Sequence, residues 1–153
     1  MFSIHEIIDI AVQLEKNGEN IYRDAQKLTD NFSLSDLLEW IAAEELNHVE
    51  WLTELKSDIE LKEDHYLITE MSQALVSDFI GEQAFSLNDV DFSQIGNTKD
   101  MIKIFIEFEE DTIIFFEMLK SFLTDEKTTE KLDQIIIEEK SHIEKLQELK
   151  IGK

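Results

Sequence analysis

The sequence contains no cysteine and no proline, and it has only four glycines among its 153 residues. The absence of cysteine excludes disulfide bonds, thiolate metal sites and catalytic thiols. Proline and glycine are the residues that most disfavour helix interiors, so their scarcity beside abundant leucine, isoleucine, glutamate and lysine predicts a mostly helical protein. The sequence therefore predicts an all-α fold.

Basic residues are also scarce: the chain has 14 lysines and arginines and 35 aspartates and glutamates, so its formal net charge is −21. Nucleic acids and anionic membrane surfaces repel such a chain, so neither is an expected partner, and cations are its natural counterpart. No stretch approaches the length of apolar sequence that a transmembrane helix needs. The N-terminus, MFSIHEIIDIAVQLEK, lacks the pattern of a secretory signal, and a cytoplasmic location is expected.

The hydrophobic pattern predicts one domain over residues 1–153, built from two helical hairpins. Helices are expected at about 3–29, 34–61, 98–123 and 128–150, with a long crossover over 62–97. Residues 66–80 within this crossover also show helical periodicity. The expected N-caps are Ser3, Ser33 or Ser35, and Asn97.

One set of residues able to bind metal occurs twice in the chain, at an offset of 94 residues. The first copy is Glu15, Glu45 and His48, and the second is Glu109, Glu139 and His142. Residues at equal distances from the turn of a helical hairpin lie at the same height. Glu15 and Glu45 are centred on position 30, and the second pair of glutamates is centred on position 124, where the two turns are predicted.

All six residues lie on the apolar stripes of their helices and are therefore expected to point into the core. Four buried carboxylates at one level would repel one another strongly unless positive charge lay among them. Two divalent cations would balance the charge of the four carboxylates, and the two imidazoles would stay neutral. Carboxylate-rich sites with one histidine per ion suit iron or manganese, so the sequence predicts a dinuclear metal centre.

A simpler alternative stays open at this level. Glu15 and Glu109 could lie at the edges of their stripes, partly exposed, while the two histidines are ordinary hydrogen-bonded core residues. The protein would then be a metal-free helical interaction module.

Four segments also resemble the ferritin-like di-iron carboxylate superfamily, and the rubrerythrin branch within it. LEKNGENIYRDA is similar to the first iron-binding helix of that group, and FIEFEEDTIIFFEML to its third. AAEELNHVEWL and IIEEKSHIEKL resemble its two Glu-x-x-His helices. The resemblance implies a ferritin-like four-helix bundle of two antiparallel hairpins joined by a long crossover.

The same resemblance implies a role for each repeated residue. Glu45 and Glu139 correspond to bridging carboxylates, Glu15 and Glu109 to terminal carboxylates, and His48 and His142 to terminal nitrogen ligands. The implied function is an oxidoreductase in which two iron ions, or manganese, reduce peroxide or dioxygen. Electrons are expected from a separate donor protein. The alternative is iron binding and sequestration with weak ferroxidase activity.

Three further expectations concern residues outside this set. Glu44 and Glu138 repeat at the same offset but lie about 100° around the helix from the ligand direction, so they are expected at the surface. Tyr22 could place a redox-active or supporting hydroxyl beside the centre, but packing is favoured because its counterpart in the second half is Phe116. The third helix is apolar almost all round and must be covered by the crossover segment or by a second subunit, of which a homodimer is the favoured hypothesis.

Overall fold

The computed structural model describes residues 4–61, 97–123 and 125–151, and within them the chain forms four long helices. They are α1 (Ile4–Leu28), α2 (Phe32–Leu61), α3 (Thr98–Ser121) and α4 (Glu126–Ile151). Their bounds lie within two residues of the predicted ones. The expected N-cap Ser3 and the crossover at 62–96, with its helical stretch at 66–80, lie outside the described residues.

Short polar side chains set the first turns of three helices. The Asn97 side chain accepts a hydrogen bond from the Asp100 amide at 2.9 Å, as predicted for the cap of α3. The expectation of a serine cap for α2 was wrong. Asn31 Oδ1 accepts from the Leu34 amide at 3.0 Å, so the helix begins at Phe32, before Ser33. In α4, Asp125 accepts from the Thr128 amide at 3.0 Å.

The four helices pack as two antiparallel hairpins that form one bundle. Three residues connect α1 to α2, and four connect α3 to α4, so each pair must run side by side. The hairpins meet through contacts of α2 with α4 and of α1 with α3. This is the ferritin-like four-helix arrangement that the sequence predicted.

The apolar stripes of all four helices meet in one continuous core. Its largest fully buried side chains include Tyr22, Phe105, Phe115, Phe116, Leu14 and Leu38. The repeated glutamates and histidines lie on these same stripes, near the middle of each helix. They are therefore surrounded by apolar side chains above and below, which keep water away from them.

The third helix is less exposed than its composition indicated. Phe108 and Phe115 are buried, and Ile104, Ile106 and Ile113 are packed partly against the core. Ile114 alone among the isoleucines of α3 is more than half exposed, at 53%. Within the described ranges, no helix combines the length and apolar character that crossing a membrane requires.

Candidate metal centre

The structure brings all six repeated residues together at one level of the bundle. One carboxylate comes from each helix, and α2 and α4 each add a histidine one turn further along. All are buried: His48 retains 4% exposure, and the other five are fully enclosed. The alternative in which Glu15 and Glu109 lie partly exposed at stripe edges is therefore wrong.

These residues form two overlapping groups, each with three carboxylates and one imidazole. In each group, one ligand atom per residue lies within 4.8 Å of all the others. The first group is Glu15, Glu45, His48 and Glu139, and the second is Glu45, Glu109, Glu139 and His142. Glu45 and Glu139 belong to both groups, so they stand between two adjacent positions.

The two carboxylate oxygens of Glu139 each lie beside a different histidine. Its Oε1 lies 3.0 Å from Nδ1 of His48, while its Oε2 lies 3.3 Å from Nδ1 of His142. The terminal carboxylates are equally close to their own histidines: Glu15 Oε2 lies 3.5 Å from His48 Nδ1, and Glu109 Oε2 lies 3.4 Å from His142 Nδ1. Both Nδ1 atoms therefore face the carboxylates.

The atoms that face the centre are short of hydrogen bonds. Within the described part of the chain, both carboxylate oxygens of Glu15, Glu45 and Glu139 are buried without a hydrogen-bond partner, as are Glu109 Oε2 and the two Nδ1 atoms. Burying a charged group without a partner costs several kcal/mol, roughly as much as a domain's whole stability when four are involved. A pair of divalent cations fits this donor set, because it supplies the missing partner to every one of these atoms.

The outward nitrogen of each histidine makes a hydrogen bond to a carboxylate from the other hairpin. Nε2 of His48, on α2, lies 3.1 Å from Glu138 Oε2, on α4. Nε2 of His142, on α4, lies 2.9 Å from Glu44 Oε1, on α2. An ionised carboxylate can only accept, so each Nε2 carries the proton and donates it. Once its Nδ1 is deprotonated, a ring held in this way would present the lone pair of that nitrogen to the centre.

The sequence model of the rubrerythrin family matches residues 6–150. This chain belongs to the rubrerythrin family. The match includes all six residues of the centre and both outward carboxylates.

One solved structure with the same fold is that of a Thermotoga maritima protein, whose description proposes a ferritin-like diiron-carboxylate protein. The two superpose with a TM-score of 0.73 over 97% of this chain and 95% of the other, at 24% sequence identity. No curated protein matches this rubrerythrin-family chain significantly in sequence.

Aromatic residues enclose the side of the centre formed by α1 and α3. Tyr22 donates its hydroxyl hydrogen to Glu109 Oε1 at 2.6 Å, and its ring packs edge-on against Phe105 and Phe108. The expectation that Tyr22 acts by packing was therefore incomplete. Gly18 lets the Phe108 ring approach α1, because a Cβ at this position would lie 3.0 Å from Phe108 Cε2.

The residues beside the terminal carboxylates do not enlarge the ligand set. Thr112, one turn beyond Glu109, donates its hydroxyl hydrogen to the Phe108 carbonyl at 2.9 Å. Glu19, one turn beyond Glu15, pairs with Arg23 at 2.9 Å. Neither belongs to the two metal-binding groups found among the described residues of this rubrerythrin-family protein.

Burial and mutual repulsion raise the pKa of two of the carboxyl groups. Burial first, and then the charge of Glu139, raises the pKa of Glu45 to about 7. Burial and the charges of Glu139 and Glu45 likewise hold the pKa of Glu109 well above its usual value. Glu139 differs: burial acts to raise its pKa, but its close contacts with Glu109 and the histidines outweigh this and lower it.

The histidines respond in the opposite way. Burial alone would lower the pKa of His48, but the approach of Glu139 and the charge of Glu45 outweigh it and raise the pKa to about 9. Burial also opposes protonation of His142, yet the charge of Glu109 and its neighbours raises that pKa as well. In metal-free protein, protons thus supply part of the positive charge that the carboxylates require.

Glu44 and Glu138 are the functional residues that the sequence reasoning misplaced. They were expected on the solvated surface, but they lie half-buried against the histidines. A signal was present, because Glu44 and Glu138 repeat at the same offset of 94 residues as the ligands. Their position, about 100° around the helix from the ligand direction, argued against them, because the histidine that each contacts belongs to the other hairpin.

We expect metal binding to release protons. At neutral pH, His48, with a pKa of about 9, carries a proton that it must lose to coordinate, and Glu45, with a pKa of about 7, is about half protonated. Affinity should therefore rise with pH from about 6 to 8, by about tenfold per unit for each proton displaced. Titration with metal in weakly buffered solution measures the release. Affinity that is flat over this range, without proton release, would contradict the assignment.

Replacing the outward carboxylates should weaken metal binding. Glu44→Ala and Glu138→Ala each remove the acceptor that fixes one imidazole, and we expect metal affinity to fall about 10–100-fold. The control is Glu50→Ala, which removes an exposed carboxylate from the same helix as Glu44. Competition with a chelator of known affinity measures the change. Wild-type affinity in both variants would exclude this role.

Proposed function

We propose that this rubrerythrin-family protein is a di-iron carboxylate oxidoreductase that reduces peroxide or dioxygen. The observation that carries the proposal is the pair of overlapping ligand groups with Glu45 and Glu139 in common. Two groups that share two carboxylates have the form of a dinuclear site, in which one pair of residues contacts both ions. Isolated mononuclear sites would not need shared ligands.

The ligand roles follow from group membership together with the resemblance noted above. Glu45 and Glu139 would contact both ions. Glu15 and His48 would hold one ion, and Glu109 and His142 would hold the other. The outward-facing carboxylates Glu44 and Glu138 hold the histidines from behind.

Iron is the proposed metal, with manganese as the alternative. The donor set contains no sulfur and has more carboxylates than imidazoles, which disfavours a closed structural zinc site. Two divalent ions also neutralise the four glutamates while leaving both imidazoles neutral. A site with formal charge near zero is the least costly one to keep inside an apolar bundle.

The chain's own residues protect and tune this centre. When two iron ions are bound, their oxidation from Fe(II) to Fe(III) supplies the two electrons that convert one hydrogen peroxide and two protons into two water molecules. Phe105 and Phe108 exclude water from the α1–α3 side. Burial, and then the charge of Glu109, raises the pKa of Tyr22 well above its usual value, so Tyr22 stays protonated and keeps donating to Glu109.

Iron oxidation tests this function directly. Anaerobic protein loaded with Fe(II) should be oxidised by hydrogen peroxide at least about tenfold faster than free Fe(II), since the site holds both ions together. Glu139→Gln, which alters a shared ligand, should lose this advantage. Glu144→Gln, an exposed change on the same helix, should keep it. Stopped-flow absorbance measures the rates.

Two outcomes would contradict the enzymatic proposal. Oxidation of the wild-type protein no faster than that of free Fe(II) would eliminate the role. Loss of iron on each re-reduction would instead favour the alternative, iron sequestration with weak ferroxidase activity. Repeated oxidation and reduction without metal loss supports an enzyme that receives electrons from a separate donor protein.

We also propose that the protein is a homodimer through the exposed side of α3. Ile114 is 53% exposed there and lies beside the half-buried Ile113. Ile114→Lys should therefore shift the sedimentation mass from about twice 17.9 kDa toward the mass of one chain. The control is Ile137→Lys on α4, where the isoleucine is 65% exposed. A wild-type mass equal to one chain would refute the dimer.

A further inference from the structure

The two halves of the centre have matching ligands, but different residues pack on the outer faces of their histidines. On the His142 side, the indole of Trp40 lies edge-on to the imidazole, with ring centroids 5.3 Å apart. Lys145 Nζ lies 5.3 Å from the centroid of the same indole. Trp40 and Lys145 thus form a two-layered cover over His142, which is fully buried.

No equivalent indole covers His48 from α4 in the described part of the chain. The offset of 94 residues that relates the two halves places Gln134 where Trp40 stands in the first half. Gln134 is exposed, and its amide nitrogen lies 3.5 Å from Glu138 Oε1. From α4, an exposed amide therefore stands where the other half has an aromatic ring, and the indole on this side is Trp51, which comes from the same helix as His48.

A pocket of about 290 Å³ occurs on this less covered side. Its lining comes from α2 and α4 and consists of Glu44, Asn47, His48, Trp51, Lys131 and Glu138. His48 forms part of the lining and is also a member of the first ligand group. The pocket thus joins the outside of the bundle to a residue whose other face lies in the centre.

We infer that this pocket over His48 is the entrance through which divalent metal ions reach the centre, and that Trp40 closes the corresponding route over His142. The inference rests on the proposed metal centre, but not on the proposed oxidoreductase activity. The chemistry of the lining suits a cation, since it contains two carboxylates and an amide but one ammonium group. The ions entering would be partly dehydrated by these oxygens before they meet the buried carboxylates.

Entry on this side also needs little movement. Each histidine is held at its outer edge by one hydrogen bond, His48 by Glu138 and His142 by Glu44, so the difference between the two sides lies in what covers each ring. On the other side, His142, the bulky Trp40 ring and the chain of Lys145 would all have to move. The difference predicts unequal rates of entry at two sites with nearly identical ligands.

Exchanging the covers tests the inference. Gln134→Trp places an indole between Lys131 and Glu138 on the pocket side of α4, because residues three or four apart share a helix face. Cobalt(II) should then enter the metal-free protein at least about tenfold more slowly, which corresponds to about 1.4 kcal/mol of added barrier. The final content, about two ions per chain, should not change. Stopped-flow absorbance of bound Co(II) gives the rate, and elemental analysis gives the content.

Gln147→Trp is the matched control, because it makes the same change at an exposed position of α4 away from this pocket. It should take up Co(II) at the wild-type rate. Asn47→Trp fills the pocket from α2 and should slow uptake independently, which guards against a folding defect in one variant. Trp40→Gln opens the His142 side and should not slow uptake.

The outcomes separate the two proposals. Equal uptake rates in wild type, Gln134→Trp and Asn47→Trp would overturn the entrance and leave the metal centre intact. Slower uptake in Trp40→Gln, with wild-type rates in Gln134→Trp and Asn47→Trp, would overturn the inference and place the entrance on the His142 side. A wild-type protein that binds no Co(II) or Fe(II) would overturn the metal centre and the entrance together.

Discussion

The central constraint on this protein is the burial of four glutamates at one level of an apolar bundle. Across the described residues, most of their oxygens have no hydrogen-bond partner, so their charge must be balanced by protons or metal ions. The raised pKa values of Glu45 and His48 show the first means of balance, and the two overlapping ligand groups provide for the second. Burial of these four carboxylates between two apolar layers therefore requires positive charge at the centre, supplied by protons or by metal ions.

The four helices and the six converging residues could be predicted from the sequence, because burying the glutamates imposes a regular spacing along the chain. A buried glutamate must lie on the apolar stripe of its helix, and a shared level requires equal distances from each turn. Glu15 and Glu45 satisfy both conditions around position 30, and Glu109 and Glu139 satisfy them around position 124. Helical periodicity and hairpin geometry are local properties, so they fix the four helices and the convergence of the six residues.

What sequence reasoning missed depends on how the two hairpins face each other. Glu44 serves the histidine of α4 and Glu138 serves the histidine of α2, so neither role can be read from its own helix. The cap of α2 was missed for a related reason, since Asn31 and Ser33 are both good caps and the packing of the turn decides between them. Pairings across the α2–α4 interface require the angle and offset of the helices, which periodicity does not provide.

The two halves of the repeat share their ligand residues and differ in the residues around them. Residues that balance charge are the same in both, because the electrostatic penalty acts equally on each. Residues around them differ: Glu109 accepts a hydrogen bond from Tyr22, whereas Phe116, which occupies the position of Tyr22 in the second half, has no hydroxyl group. Among the described residues, neither carboxylate oxygen of Glu15 has a hydrogen-bond partner. The two ligand positions therefore match in their residues and differ in the hydrogen bonding around them.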